Sequence, residues 1–106
     1  MSGLRHNTGK LKWSLVDYPS LEPLVKVLEF GTEKYSAENW KRGLQTREII
    51  ESLLRHTYAL LENEDNDPES GLPHVGHILA NAMFLSYMIN NKPEYDNRSD
   101  NSRTTA

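Results

Sequence analysis

The sequence predicts an all-α domain: three to four helices around a central helix hairpin, completed by association of copies. Three observations lead there. Segments 47–62 and 73–89 carry apolar residues at helical period and are joined by an acidic connector, 63–72. A further periodic segment opens near Leu21. No stretch sustains the apolar–polar alternation of a strand.

The bulk properties bound the answer. A chain of 106 residues is one small domain, and a domain of that size buries only roughly 60–70% of its unfolded surface. Helical domains with so little interior commonly finish their core against a second copy. The hydrophobic fraction is 37% and the mean hydropathy −0.68, but the apolar residues gather in segments, as in a folded core. The absence of cysteine excludes a disulfide scaffold and thiolate chemistry. No apolar run approaches the roughly 20 residues of a membrane span, and the first ten residues lack a signal-peptide core. The reading is a soluble, cytoplasmic protein. A net charge of −3 excludes a general nucleic-acid coat. Positive charge gathers at Arg5, Lys10 and Lys12 and again at Lys34, Lys41, Arg42 and Arg47; negative charge gathers at Glu62, Glu64, Asp65, Asp67 and Glu69.

In chain order, residues 1–19 read as an extended arm with apolar anchors at Leu11, Trp13, Leu15 and Val16. Ser20 is placed to cap a first helix, Leu21 to Lys34, with Pro23 in its first turn. Gly31 inside it either costs about 1 kcal/mol relative to alanine or marks a close helix–helix approach. Residues 35–45 form a loop, in which Trp40 either stacks on a ligand base or caps the core. Thr46 caps the second helix, whose buried stripe is Ile49, Ile50, Leu53, Leu54, Thr57 and Leu61. Glu48 and Glu51 share another face, and Arg55 is spaced to pair with Glu51. His56 borders the apolar stripe. The connector is turn chemistry, ending in a Ser70 or Gly71 cap for the third helix. That helix is apolar around most of its circumference, which implies burial. His74, His77 and Asn81 nevertheless form a polar stripe on it. An unpaired buried polar group costs about 1–3 kcal/mol, so these residues need partners. The third helix stops before Pro93, and residues 92–106 read as a polar, disordered tail.

The residues Gly9-Lys10, Phe30-Gly31, Lys34-Tyr35, Asn39-Trp40, Arg55-His56, Asp67-Pro68-Glu69-Ser70-Gly71, His74, His77 and Asn81 carry a resemblance. Across roughly residues 5–90 the chain resembles a small phage and bacterial family, the dATP/dGTP diphosphohydrolase N-terminal domain. That family is distantly similar to MazG-like all-α nucleotide pyrophosphohydrolases. The resemblance implies that residues 1–91 are a nucleotide-binding domain, in the host cytoplasm if the chain is phage-encoded. It implies a helical oligomer that uses Mg²⁺ or Mn²⁺ to cleave a purine (deoxy)nucleoside triphosphate to monophosphate and pyrophosphate.

Carried onto this chain, the resemblance assigns Glu48 and Glu51 to the metal, with one of the connector acids Glu64, Asp65 and Asp67, taken as Asp67, substituting for the missing acids. It assigns catalysis to Glu48, Glu51, His74 and His77. Nucleotide binding falls to Lys10, Lys34, Tyr35, Asn39, Trp40, Arg55, His56 and Asn81. The chain departs from the MazG-like pattern in two places. Arg47-Glu48-Ile49-Ile50-Glu51 keeps two of three acids, and His74-x-x-His77 stands where Glu-x-x-Asp belongs. Two alternatives therefore stand beside hydrolysis: a non-catalytic phage protein that sequesters a nucleotide or a cyclic-oligonucleotide signal of host defence, and a purely structural network of His74, His77 and Asn81.

Overall fold

A computed structural model gives the architecture, described for residues 3–4 and 8–99. Among the described residues it is helical: α1 (Glu22–Gly31), α2 (Thr46–Leu61) and α3 (His74–Asn91). Short 3-10 turns lie at Trp13–Leu15, Tyr18–Leu21, Asn39–Arg42 and Pro93–Tyr95. The all-α class follows from the helical period of the apolar residues. No described helix is long and apolar enough to cross a membrane. Arg5 and residues 100–106 lie outside the described residues.

α3 is the axis, and both α1 and α2 pack along it. Its small residues set how close the neighbours come. Gly76 and Ala80 are buried, and a Cβ at Gly76 would lie 2.5 Å from the carbonyl oxygen of Pro23 in α1. The close helix–helix approach is therefore at Gly76. Gly31, where the sequence allowed it, has nothing within 4 Å of its Cβ position. At the other end of α3 the fully buried Met88 sulfur accepts the Leu44 N–H at 3.4 Å.

Helix ends differ from the sequence reading for identifiable reasons. α1 stops at Gly31, and the chain continues in looser turns, with Tyr35 N–H still bonded to the Gly31 carbonyl at 3.1 Å. Ser20 does not cap α1. Its N–H and hydroxyl both donate to Asp17, which caps the preceding turn. Gln45 is the N-cap of α2, so Thr46 is buried in the first turn instead. α3 starts after Pro73 without a side-chain cap, because Ser70 is committed elsewhere.

The outer face of α2 is bare. Ile49 is buried, but Leu54 and Leu61, expected in the buried stripe, are 54% and 76% exposed, beside an exposed Tyr58. α3 covers one side of α2, and none of the described elements packs across the other. The N-terminal anchors Leu11, Trp13 and Leu15 are likewise exposed. The first part of the expected tail is ordered against the body. Asn97 accepts the Arg47 N–H at 2.9 Å, and the Tyr95 ring sits where a Cβ on Gly43 would be.

Two glycine substitutions separate these environments. Gly76→Ala should destabilise the chain by about 1–3 kcal/mol, as overpacking does against backbone. Gly31→Ala should be neutral or stabilise by up to about 1 kcal/mol. Urea denaturation followed by far-UV circular dichroism checks both.

Candidate functional site

The site forms where the hairpin closes. α2 ends at Leu61, and Asn63 turns the chain in the left-handed region (φ 66°). The connector then folds on itself. The Asp67 carboxylate accepts the Ser70 N–H at 2.9 Å and the Ser70 hydroxyl at 2.7 Å. Gly71, at φ 74°, completes the turn by donating to the Asp67 carbonyl. The His74 N–H bonds to the Asp65 carbonyl at 2.9 Å, which docks the connector on the start of α3. An aspartate three residues before a serine, with glycine next, is the local chemistry that makes such a turn.

This turn brings three imidazoles and two carboxylates together. His74, 3% exposed, contacts His56 across the hairpin through their Nδ1 atoms at 2.7 Å. Its Nε2 meets Glu64 Oε1 at 2.9 Å. The His56 ring stacks on His77, with centroids 4.4 Å apart and planes 5° from parallel. His77 Nε2 lies 2.8 Å from the Ser70 hydroxyl oxygen and 3.6 Å from Asp67 Oδ2. The Ser70 hydroxyl has one proton and donates it in the hydrogen bond to the Asp67 carboxylate. The Ser70 oxygen then accepts from His77 Nε2–H. One turn further along α3, Asn81 donates to Ser52 at 3.1 Å and to the His77 carbonyl at 2.9 Å. Among the described residues no buried side-chain polar atom lacks a partner.

Burial, followed by the neighbouring imidazoles, pushes His56 below the ordinary histidine range. Burial also pushes His77 down, against the opposing pull of Asp67. For Asp67, burial acts upward, but the hydrogen bonds from Ser70 outweigh it and hold the carboxyl below its ordinary range. The result is ionised Asp67 beside two imidazoles that favour the neutral form.

A cavity of about 530 Å³ opens over this cluster, lined also by Lys34, Arg55 and Glu69. That volume suits a small-molecule site. A second cavity of about 460 Å³ is apolar and aromatic, lined by Gly31, Tyr35, Asn39, Trp40 and Phe84. Phe30 lines both. Trp40 packs on α3 through Phe84 (4.8 Å) and edge-on Tyr87 (5.0 Å).

The chain matches, over residues 1–98, the family described as dATP/dGTP diphosphohydrolase, N-terminal. It belongs to that family. It is also 35% identical over 98 residues to a protein of Salmonella phage PMBT28 named dATP/dGTP diphosphohydrolase. The match covers 92% of this chain and 33% of the phage protein, so the chain spans about a third of that relative's length. No solved structure matches it significantly.

Within this family member, the residues singled out from the sequence divide into groups. Lys34, Arg55, His56, Asp67, His74 and His77 line the polar cavity. Tyr35, Asn39 and Trp40 line the apolar one. Asn81 lies behind His77, bonded to it. Glu48 and Glu51 are exposed on α2, one helical turn before Ser52 and Arg55, and line neither cavity. No ion pair joins Glu51 to Arg55. Lys10 is exposed in the arm, away from both cavities. Sequence reasoning missed Ser52 as the partner of Asn81, and it took Ser70 for a helix cap. The Asp-x-x-Ser-Gly spacing was the signal for the latter.

Ser70 holds the constellation through hydrogen bonds to Asp67, His77 and the Leu72 N–H. Ser70→Ala should cost about 1–3 kcal/mol in urea denaturation. It should also move the Asp67 carboxyl up toward its ordinary range, followed by ¹³C NMR titration.

Proposed function

We propose that the polar cavity binds the phosphates of a purine (deoxy)nucleoside triphosphate and that the chain hydrolyses it to monophosphate and pyrophosphate. The observation that carries this reading is the meeting of Lys34 and Arg55 with the imidazole–carboxylate cluster in one cavity beside an aromatic one. The relative's name, dATP/dGTP diphosphohydrolase, supports the substrate class.

In this reading Lys34 and Arg55 neutralise phosphate charge, Arg55 through its forked donors. The base reaches toward Tyr35 and Trp40 past Phe30. His77, held toward the neutral form by burial, can take a proton from an attacking water. Asn81 fixes the helical turn that presents His77. The chain works as a homo-oligomer, with the bare face at Leu54, Tyr58 and Leu61 as the surface a second copy covers.

The Mg²⁺ that the family resemblance implies does not fit these residues. Mg²⁺ takes oxygen ligands in near-octahedral geometry. Glu48 and Glu51 stand outside the cavity, and Glu64 is engaged with His74. Among the described residues, the ligand group that converges is two imidazoles with one carboxylate.

Incubation of the full chain with dATP or dGTP, in the presence of Mn²⁺ or Co²⁺, should yield monophosphate and pyrophosphate. Lys34→Ala and Arg55→Ala should each reduce kcat/KM by roughly tenfold or more, the loss of a charge-assisted hydrogen bond. Bound but intact nucleotide would replace hydrolysis by sequestration, and absence of both binding and product would overturn the reading.

A further inference from the structure

We propose that His56, His74 and Asp67 form a binding site for a borderline divalent transition-metal ion of the Co²⁺ or Zn²⁺ class, with Glu64 as the residue that positions His74. The assignment deepens the functional reading above, but metal binding can be measured without nucleotide.

Three elements contribute one ligand each: α2 gives His56, the connector gives Asp67 and the first residue of α3 gives His74. Their ligand atoms all lie within 4.8 Å of one another. The two imidazoles face each other through the same atom, Nδ1, 2.7 Å apart. Two nitrogens on one ion at about 2.1 Å from the metal stand roughly 3.0–3.4 Å apart. The site therefore has to open by about half an ångström to admit the ion.

Glu64 is the second, independent observation. Its Oε1 lies 2.9 Å from the far nitrogen of His74. A carboxylate on the outer nitrogen of an imidazole places the proton there and turns the inner lone pair toward the ligand point. In the structure the His56 N–H fills that lone pair. A metal ion would replace that proton with its own charge. The stacked His77 ring, 4.4 Å from His56, keeps the imidazole plane in place. Two nitrogens and one carboxylate oxygen suit a borderline transition-metal ion better than Mg²⁺. Three protein ligands also leave a coordination position open to the cavity in which Lys34 and Arg55 stand.

The test is titration of the chelator-treated full chain with Co²⁺, read as visible ligand-field absorption. One equivalent should bind per chain, and a large excess of Mg²⁺ should not displace it. His56→Ala and Asp67→Asn should abolish or strongly weaken the signal. Glu64→Gln should weaken affinity roughly 10–100-fold while leaving thermal stability near that of the parent. Glu48→Ala should bind as the parent does. Absence of saturable absorption, displacement by Mg²⁺, or full binding by His56→Ala would overturn the proposal. Should His74→Ala fail to fold, the His56 and Asp67 variants still decide it. Saturable Co²⁺ binding without nucleotide binding would uphold the metal site and overturn the nucleotide reading alone.

Discussion

The structure depends on how His74 is satisfied. It is the first residue of α3, and it is buried. A buried imidazole needs partners on both nitrogens, since an orphaned polar group there costs about 1–3 kcal/mol. One partner comes from α2 and the other from the connector. The backbone N–H of the same residue is held by Asp65. A single side chain thus ties together the two helices of the hairpin and the segment between them. Removing any partner exposes the others, so hairpin closure and site geometry are one property.

This explains why a short chain with few fully buried apolar residues can hold a defined polar site. Among the described residues, buried apolar side chains are sparse: Ile49, Ala80 and Met88. Much of what fixes the relative position of α2 and α3 is directional. Hydrogen bonds run from Ser70 to Asp67, from His77 to Ser70, and from Asn81 to Ser52. Networks of this kind specify one register where apolar contacts alone tolerate slippage. The dense turn chemistry of 63–72 thereby shapes the site as well as connecting the helices.

The helices were legible in the sequence because apolar period and turn composition are local signals. The polar stripe His74, His77 and Asn81 was legible for the same reason: spacing along one helix fixes one face. What faced that stripe was not. Glu48 and Glu51 are the obvious acids of α2, yet the residues that meet the stripe are His56 and Ser52, further along the same helix. Choosing between them requires the axial register of α2 against α3, which the His56–His74 contact and the connector turn set together. Likewise Ser70 has good capping chemistry, but Asp67 and His77 bind it first. The bare face of α2 escaped a single-helix reading because burial depends on which neighbours exist.

Phe30 is the side chain common to both cavities. It sits near the end of α1, a helix that meets the body mainly through α3. A change at Phe30 would therefore alter both chambers at once. A molecule long enough to occupy both would pass over one aromatic ring carried by α1, so a single side chain would touch both of its ends.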